Sequence, residues 1–178
     1  MPDLEWALGR SLALVAETAA FEFPDFMRPA EWVALAHPGE YPMNEGRIVS
    51  SAGLDIDAAD FERHFVERQV PHSTALHCRL QPGDRTYHVG PLARINLHRD
   101  KLPEEARAAA DAAGLEHPVV NPHRSIVVRC VEMAAACAEA LAIARAAMAN
   151  AAACRVAWTP REATGCHAVE APRGLLWH

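Results

Sequence analysis

Two short clusters of polar residues, each framed by proline and glycine, are the parts of this sequence best suited to chemistry. One spans residues 40–47, and the other is the run Glu-Ala-Pro-Arg-Gly at residues 170–174. A proline before an arginine fixes the backbone direction, and a glycine after it lets another group approach closely. An arginine aimed in this way beside a carboxylate suits the binding of an anion or a charged ligand. The alternative is a buried Glu–Arg pair with a purely structural role.

Ten histidines and five cysteines raise the question of a metal site. Structural zinc sites use closely spaced pairs such as CxxC, and the sequence contains no such pair. Cys130 and Cys137 share an apolar helix face, where a free cysteine packs as a small hydrophobic residue. Cys166 and His167 are adjacent, so on a strand they point to opposite faces. Cys154 could join one of them, but spacing this loose predicts that the chain alone holds no metal.

Other catalytic signatures are absent from the sequence. There is no GxSxG motif, and there is no glycine-rich phosphate loop of the P-loop or dinucleotide type. Residues 90–94, Gly-Pro-Leu-Ala-Arg, are interpreted as an ordinary turn at the end of a strand.

The net charge of −6 argues against nucleic acid or an anionic membrane as a partner, because both favour a basic surface. The sequence does not open with a basic segment followed by an apolar stretch, as a signal peptide would. No apolar run reaches the roughly 18 residues that span a bilayer. Together with the odd number of cysteines, these observations predict a soluble, cytoplasmic protein with free thiols.

Three helices are predicted from apolar residues at spacings of three and four. The first covers residues 4–20 with Asp3 as its N-cap, and the second covers residues 102–113. The third covers residues 122–150 with Asn121 as its N-cap, and it is the longest. Its apolar stripe predicts a central core helix and consists of Ile126, Cys130, Met133, Cys137, Leu141, Ala144 and Met148.

Short strands are predicted between these helices, at residues 32–37 and 46–51. A short helix is predicted at residues 57–69. A hairpin follows, with strands at 75–80 and 86–89 joined by a Gln-Pro-Gly-Asp turn. The last segment, residues 165–177, is predicted to be one extended strand. The fold class is therefore α+β and mainly helical, with a long central helix, small β-ribbons and no convincing domain boundary within residues 1–178.

The run at residues 170–174, introduced by Thr-Gly-Cys-His at 164–167, resembles the E-A-P-R-G motif of the large subunit of nickel–iron hydrogenases. Four further stretches resemble the soluble, NAD(P)-linked branch of that family, in the same order along the chain. They are EFPDF at 22–26, HPGEYPMNEGRIVSS at 37–51, VPHSTAL at 70–76 and VGPLARINL at 89–97. The resemblance runs from about residue 20 to the end of the sequence.

The resemblance implies a function, the reversible oxidation of dihydrogen. It also implies partners: a small subunit with iron–sulfur clusters, and diaphorase-type subunits that pass electrons to a nicotinamide. By resemblance, Arg173 is the catalytic arginine that projects over the open coordination site of a nickel–iron centre. Ala171 and Pro172 would line the pocket of the diatomic ligands of the iron, and Glu170 would support the arginine from behind.

The sequence departs from the family at the metal ligands. The family binds nickel and iron through four cysteines in two CxxC motifs, and neither motif is present here. The resemblance therefore implies the central part of a large subunit, a single incomplete domain that cannot bind the nickel–iron centre alone. The alternative function is a non-catalytic scaffold or interaction module, of the kind that respiratory complex I derives from the same fold.

Overall fold

The computed structural model describes residues 1–147 and 157–178. The predicted α+β class is confirmed, with 42% of the described residues helical and the strands in small sheets. The described α-helices are α1 (Pro2–Ala19), α2 (Phe61–His64), α3 (Pro91–His98), α4 (Glu104–Ala112) and α5 (Ser125–Ala147). The described strands are β1 (Glu31–Ala36), β2 (Arg47–Ser50), β3 (Asp55–Ile56), β4 (Phe65–Arg68), β5 (His77–Leu80), β6 (Tyr87–His88), β7 (Ala168–Ala171) and β8 (Gly174–Trp177).

The chain divides into two compact units. We call one the helical unit, which consists of Met1–Glu22, Pro103–Leu115 and Ile126–Gly165. The other is the β unit, which consists of Phe23–Leu102, Glu116–Ser125 and Cys166–His178. The expectation of a single incomplete domain stays a prediction.

In the helical unit, α1 packs against α4, and polar contacts join α1 to α5. The Ser11 hydroxyl lies 3.7 Å from the Cys137 thiol, and Arg145 donates to Glu5 at 3.0 Å. The predicted start of α1 is wrong by two residues. Proline occupies the first helical position and Met1 is the N-cap, so Asp3 lies within the first turn. A carboxylate there still interacts favourably with the helix dipole.

The long helix is confirmed, but its predicted stripe is only partly buried. Cys130 and Leu141 are buried, whereas Ile126 and Met133 are 40% and 49% exposed. The buried face instead includes Val127, Val128, Val131, Ala134 and Ala135. Apolar residues lie on nearly every side of α5, so their spacing alone could not show which side is buried. The predicted positions Met148 and Asn150 lie outside the described residues, as does Cys154.

The β unit is built on a four-stranded sheet with the order β3-β2-β1-β6. The β1–β2 pair is antiparallel, with Leu35 opposite Ile48, and both side chains are fully buried. β6 runs parallel to β1 but pairs only with Glu31 and Trp32. The edge of β1 beyond Trp32 is therefore open to other partners, and α3 packs against the same strand. The core of this unit is formed by Val33, Leu35, Ile48, Ile56, Phe65, Leu80 and Ala168.

Two sequence predictions in the β unit are wrong. The helix predicted at 57–69 is one 3₁₀ turn (Ala58–Asp60) and one α-helical turn (α2), after which the chain becomes β4. The predicted Gln-Pro-Gly-Asp turn at 81–84 is confirmed, since two backbone hydrogen bonds between Leu80 and Arg85 close it. The strands predicted on either side of this turn do not pair with each other, because β5 pairs with β4 and β6 pairs with β1. Residues 65–68 form a strand and not a helix because β4 places Phe65 opposite Leu80, where both residues are buried in the core.

Candidate functional site: an arginine hairpin

The final segment is a tight hairpin and not the single strand that the sequence predicted. β7 pairs with β8 in antiparallel register, with Ala171 opposite Gly174. Pro172 and Arg173 therefore form the two-residue turn between the strands. Proline suits the first turn position because its ring fixes φ near −65°. We call residues 168–177 the arginine hairpin.

Glu170 holds the hairpin in the interior of the β unit. Its side chain is fully buried, and its Oε1 accepts a hydrogen bond from the Leu35 backbone N–H at 2.8 Å. This N–H lies on the part of β1 that β6 leaves open. The backbone N–H of Glu170 also donates to the Met43 carbonyl at 2.7 Å. A buried carboxylate is costly unless it is paired and hydrogen-bonded, and Glu170 is both.

The partner of Glu170 is Arg94 of α3, whose side chain is also fully buried. The Arg94 Nη1 lies 2.7 Å from the Glu170 Oε2. The same Nη1 donates to the Ala171 carbonyl at 2.9 Å, and Nη2 donates to the Pro172 carbonyl at 3.3 Å. One guanidinium therefore binds a carboxylate and two consecutive carbonyls at the end of β7. The buried Glu–Arg pair considered as an alternative exists, but its arginine is Arg94 and not Arg173.

The start of α3 also touches the turn of the hairpin. Gly90 is the N-cap of α3, with φ 83° and ψ −155°, a conformation that is essentially restricted to glycine. A Cβ at this position would lie 2.5 Å from the Arg173 carbonyl oxygen. A Cβ at Gly174 would lie 2.5 Å from the Val89 Cγ2. The turn and the loop before α3 can approach each other this closely because both positions lack a side chain.

The structure places Arg173 at the exposed tip of the hairpin. Within residues 1–147 and 157–178, no side chain pairs with its guanidinium. Its main chain is held by the neighbouring contacts of Arg94 and Gly90, while its charged group is free to bind a ligand. Of the predicted site residues, Glu170, Ala171 and Pro172 lie beneath Arg173 and join it to the buried Arg94.

The other polar cluster, at residues 40–47, does not aim an arginine at a ligand. Arg47 binds Asp55 at 2.5 Å and Asp57 at 2.7 Å, and all three side chains are substantially exposed. His37 lies 4.0 Å from Glu40. Exposed pairs of this kind contribute little to stability. Arg47 and its two partners form a surface ion-pair network at the start of β2.

The interpretation of residues 90–94 as an ordinary turn is wrong, because α3 begins at Pro91, and that interpretation gives Arg94 no role. A signal was present: Arg94 interrupts the apolar run Pro-Leu-Ala-Arg-Ile-Asn-Leu at 91–97. A charged side chain within a buried helix must find a partner of opposite charge. The sequence could indicate that Arg94 has such a partner, but it could not show which acid this is.

One turn further along α3 lies another buried polar residue, His98. Burial lowers the pKa of its imidazole below the ordinary value. Its Nε2 has no hydrogen-bond partner among the described residues. Desolvation disfavours the charged imidazolium, so His98 is neutral near pH 7.

An aromatic groove of about 720 Å³ lies elsewhere in the β unit. Phe61 stacks on Phe65 at 4.4 Å and on Trp177 at 4.8 Å, measured between ring centroids. The Trp177 Nε1 donates to the Ala58 carbonyl at 2.6 Å. Burial raises the pKa of Tyr87 at the inner side of this groove. The groove anchors β8, and with it one arm of the arginine hairpin.

A nickel–iron centre bound by thiolates does not fit the residues that the structure describes. Cys78 belongs to β5, Cys130 and Cys137 belong to α5, and Cys166 is exposed just before β7. Among the described residues, no three His, Cys, Asp or Glu side chains converge on one point. The described part of the chain therefore supplies an arginine but not the ligands of a metal.

No protein-family model matches the sequence, and no curated protein matches it significantly. The helices within residues 1–147 and 157–178 include none with the length and apolar character needed to cross a bilayer.

Proposed function

We propose that this chain is part of the large subunit of a nickel–iron hydrogenase of the soluble, NAD(P)-linked type, in which the arginine hairpin presents Arg173 to the site of hydrogen oxidation. The motif at residues 170–174 and the four collinear stretches before it support this proposal. The observation that carries it is the geometry of Arg173. Its main chain is fixed from the interior of the β unit, and its guanidinium has no side-chain partner among the described residues.

In this proposal, the metal ligands come from sequence outside the described residues. Electrons pass to a small subunit with iron–sulfur clusters and then to diaphorase-type subunits. The contribution of this chain is a guanidinium held at a fixed place, which can bind or orient a polar group by its planar fork of donors. Glu170 acts through its carboxylate, and Ala171 and Pro172 act through their carbonyls, each by a bond to Arg94.

The test is Arg173→Lys in the intact enzyme that contains this sequence. We expect hydrogen turnover to fall by about 10²-fold or more, because an ammonium cannot reproduce the planar fork. Nickel content, measured by mass spectrometry of the purified enzyme, should stay at the wild-type level. The matched control is Arg63→Lys, which changes an arginine that is 80% exposed and pairs with Asp60, three residues before it.

Two results would contradict the proposal. Loss of nickel in Arg173→Lys would make Arg173 an assembly residue. A wild-type protein with neither nickel nor hydrogen turnover would favour the alternative function, a non-catalytic scaffold derived from the same fold.

A further inference from the structure

We propose that Arg94 is a positioning residue for Arg173: its buried guanidinium fixes the Pro172–Arg173 turn, and so sets the direction in which Arg173 leaves the hairpin. The guanidinium makes bonds of 2.7, 2.9 and 3.3 Å to the Glu170 carboxylate and to the Ala171 and Pro172 carbonyls. The planar donor fork makes these bonds mutually dependent, since a rotation that shortens one lengthens another.

Stability alone does not account for this choice of residues. Replacing a buried ion pair by well-packed apolar residues is often neutral or stabilising, because burying two charges is costly. What an apolar pair cannot do is hold two consecutive carbonyls in one orientation. Arg94 holds the carbonyls of the two residues that directly precede Arg173. The orientation of the backbone at this point determines what the exposed Arg173 guanidinium can reach.

The backbone of Arg94 is itself held in place by α3. Arg94 lies in the first turn of α3, and its backbone N–H donates to the Gly90 carbonyl at 3.0 Å. The backbone of Gly90 packs closely against the same turn, since a Cβ added at Gly90 would lie 2.5 Å from the Arg173 carbonyl oxygen. The turn is therefore located by α3 at two points, through the side chain of Arg94 and through the backbone of Gly90. A site whose ligand-binding residues are held in place by buried supporting contacts loses little conformational entropy when a ligand binds.

The decisive variant is Arg94→Lys, examined in the full chain by hydrogen–deuterium exchange. Lysine keeps the positive charge near Glu170 but cannot bond the carboxylate and both carbonyls together. We expect amide exchange in residues 169–176 to rise by about tenfold or more, while exchange in β1 and β2 stays within about twofold. The control is Arg85→Lys, because Arg85 also binds a carboxylate (Glu31) and a carbonyl (Pro82) but is 42% exposed.

A measurement on the wild-type chain covers the case in which Arg94→Lys does not fold. Side-chain NMR of arginine should show the Arg94 guanidinium with separate Nη–H signals and slow exchange with water. Averaged, rapidly exchanging signals for Arg94 would overturn the inference. So would an Arg94→Lys chain whose exchange is unchanged, or whose exchange rises equally in the hairpin, β1 and β2.

The catalytic consequence rests on the proposed function. In the intact enzyme, Arg94→Lys should lower kcat about tenfold, with KM for hydrogen changed less than about twofold and nickel retained. An unchanged kcat in an enzyme that Arg173→Lys inactivates would overturn the positioning role. If the wild-type enzyme shows no hydrogen turnover, the proposed function fails, and the exchange and NMR measurements still decide whether Arg94 fixes the turn.

Discussion

Replacing Gly90 by alanine tests the close contact between α3 and the arginine hairpin. The added Cβ would lie 2.5 Å from the carbonyl oxygen and 2.9 Å from the carbonyl carbon of Arg173. Both atoms belong to the main chain, so neither can rotate away as the end of a side chain could. The turn or the start of α3 must move.

Two effects add in Gly90→Ala. The backbone conformation at φ 83° and ψ −155° costs a residue with a side chain about 1–3 kcal/mol. The steric overlap adds about 1–3 kcal/mol, the usual range for overpacking a close-packed interior. We therefore expect the free energy of unfolding of the β unit to fall by about 2–6 kcal/mol, a large share of the roughly 5–15 kcal/mol that stabilises a typical domain.

Gly53→Ala is the matched control, because Gly53 has φ 94° and no atom within 4 Å of the added Cβ. It carries the backbone strain without the overlap. The assay is urea unfolding followed by pulsed hydrogen exchange, which reports the β unit separately from the helical unit. The free energy of unfolding falls by about 1–3 kcal/mol per molar urea. Gly90→Ala should therefore unfold at a clearly lower urea concentration than Gly53→Ala. Equal losses in the two variants, within about 0.3 kcal/mol, would refute the close contact.

Two further predictions concern buried polar groups. Burial lowers the pKa of both His98 and His88. As the pH falls through about 6.5, the unfolded chain therefore binds more protons than the folded chain does. The stability of the β unit should therefore fall as the pH decreases from about 7.5 to about 5.5, and a urea midpoint that stays constant or rises over this range would contradict the lowered pKa of the two imidazoles. Trp177→Phe should keep the aromatic stack but lose the bond from Nε1 to the Ala58 carbonyl, lowering the free energy of unfolding by about 0.5–1.5 kcal/mol. The control Trp158→Phe, at a side chain 79% exposed, should change it by less than about 0.5 kcal/mol, and equal urea midpoints for the two variants would show that the bond contributes nothing.

The helices of the helical unit were predictable because their signals are local. Apolar spacing locates the start of α1 within two residues, and Asn121 caps the turn before α5 through its side chain, as predicted. These features depend on residues three or four positions apart, which the sequence places side by side. The buried side of α5 was not predictable, because an apolar helix gives no local sign of which neighbour covers it.

The strands of the β unit depended on distant partners. Residues 65–68 continue a helical pattern, but they form β4 because Phe65 is buried in the core opposite Leu80. Residues 86–89 include a strand, as predicted, but β6 joins β1 and not β5. Tertiary packing overrides local propensity in such segments, because burial of a large side chain outweighs the small differences in propensity.

The sequence by itself determined that the backbone around Arg173 is constrained on one side and adaptable on the other. Pro172 restricts the backbone directly before Arg173, and Gly174 gives it conformational freedom directly after. Only the tertiary structure decided how this segment is held. Glu170 pairs with Arg94, 76 residues away in the chain, and not with Arg173, three residues away. The physical reason is burial: in the interior both charges of the Arg94–Glu170 pair must be fully satisfied. Arg173 lies on the outer side of the turn, and its guanidinium stays exposed at the tip.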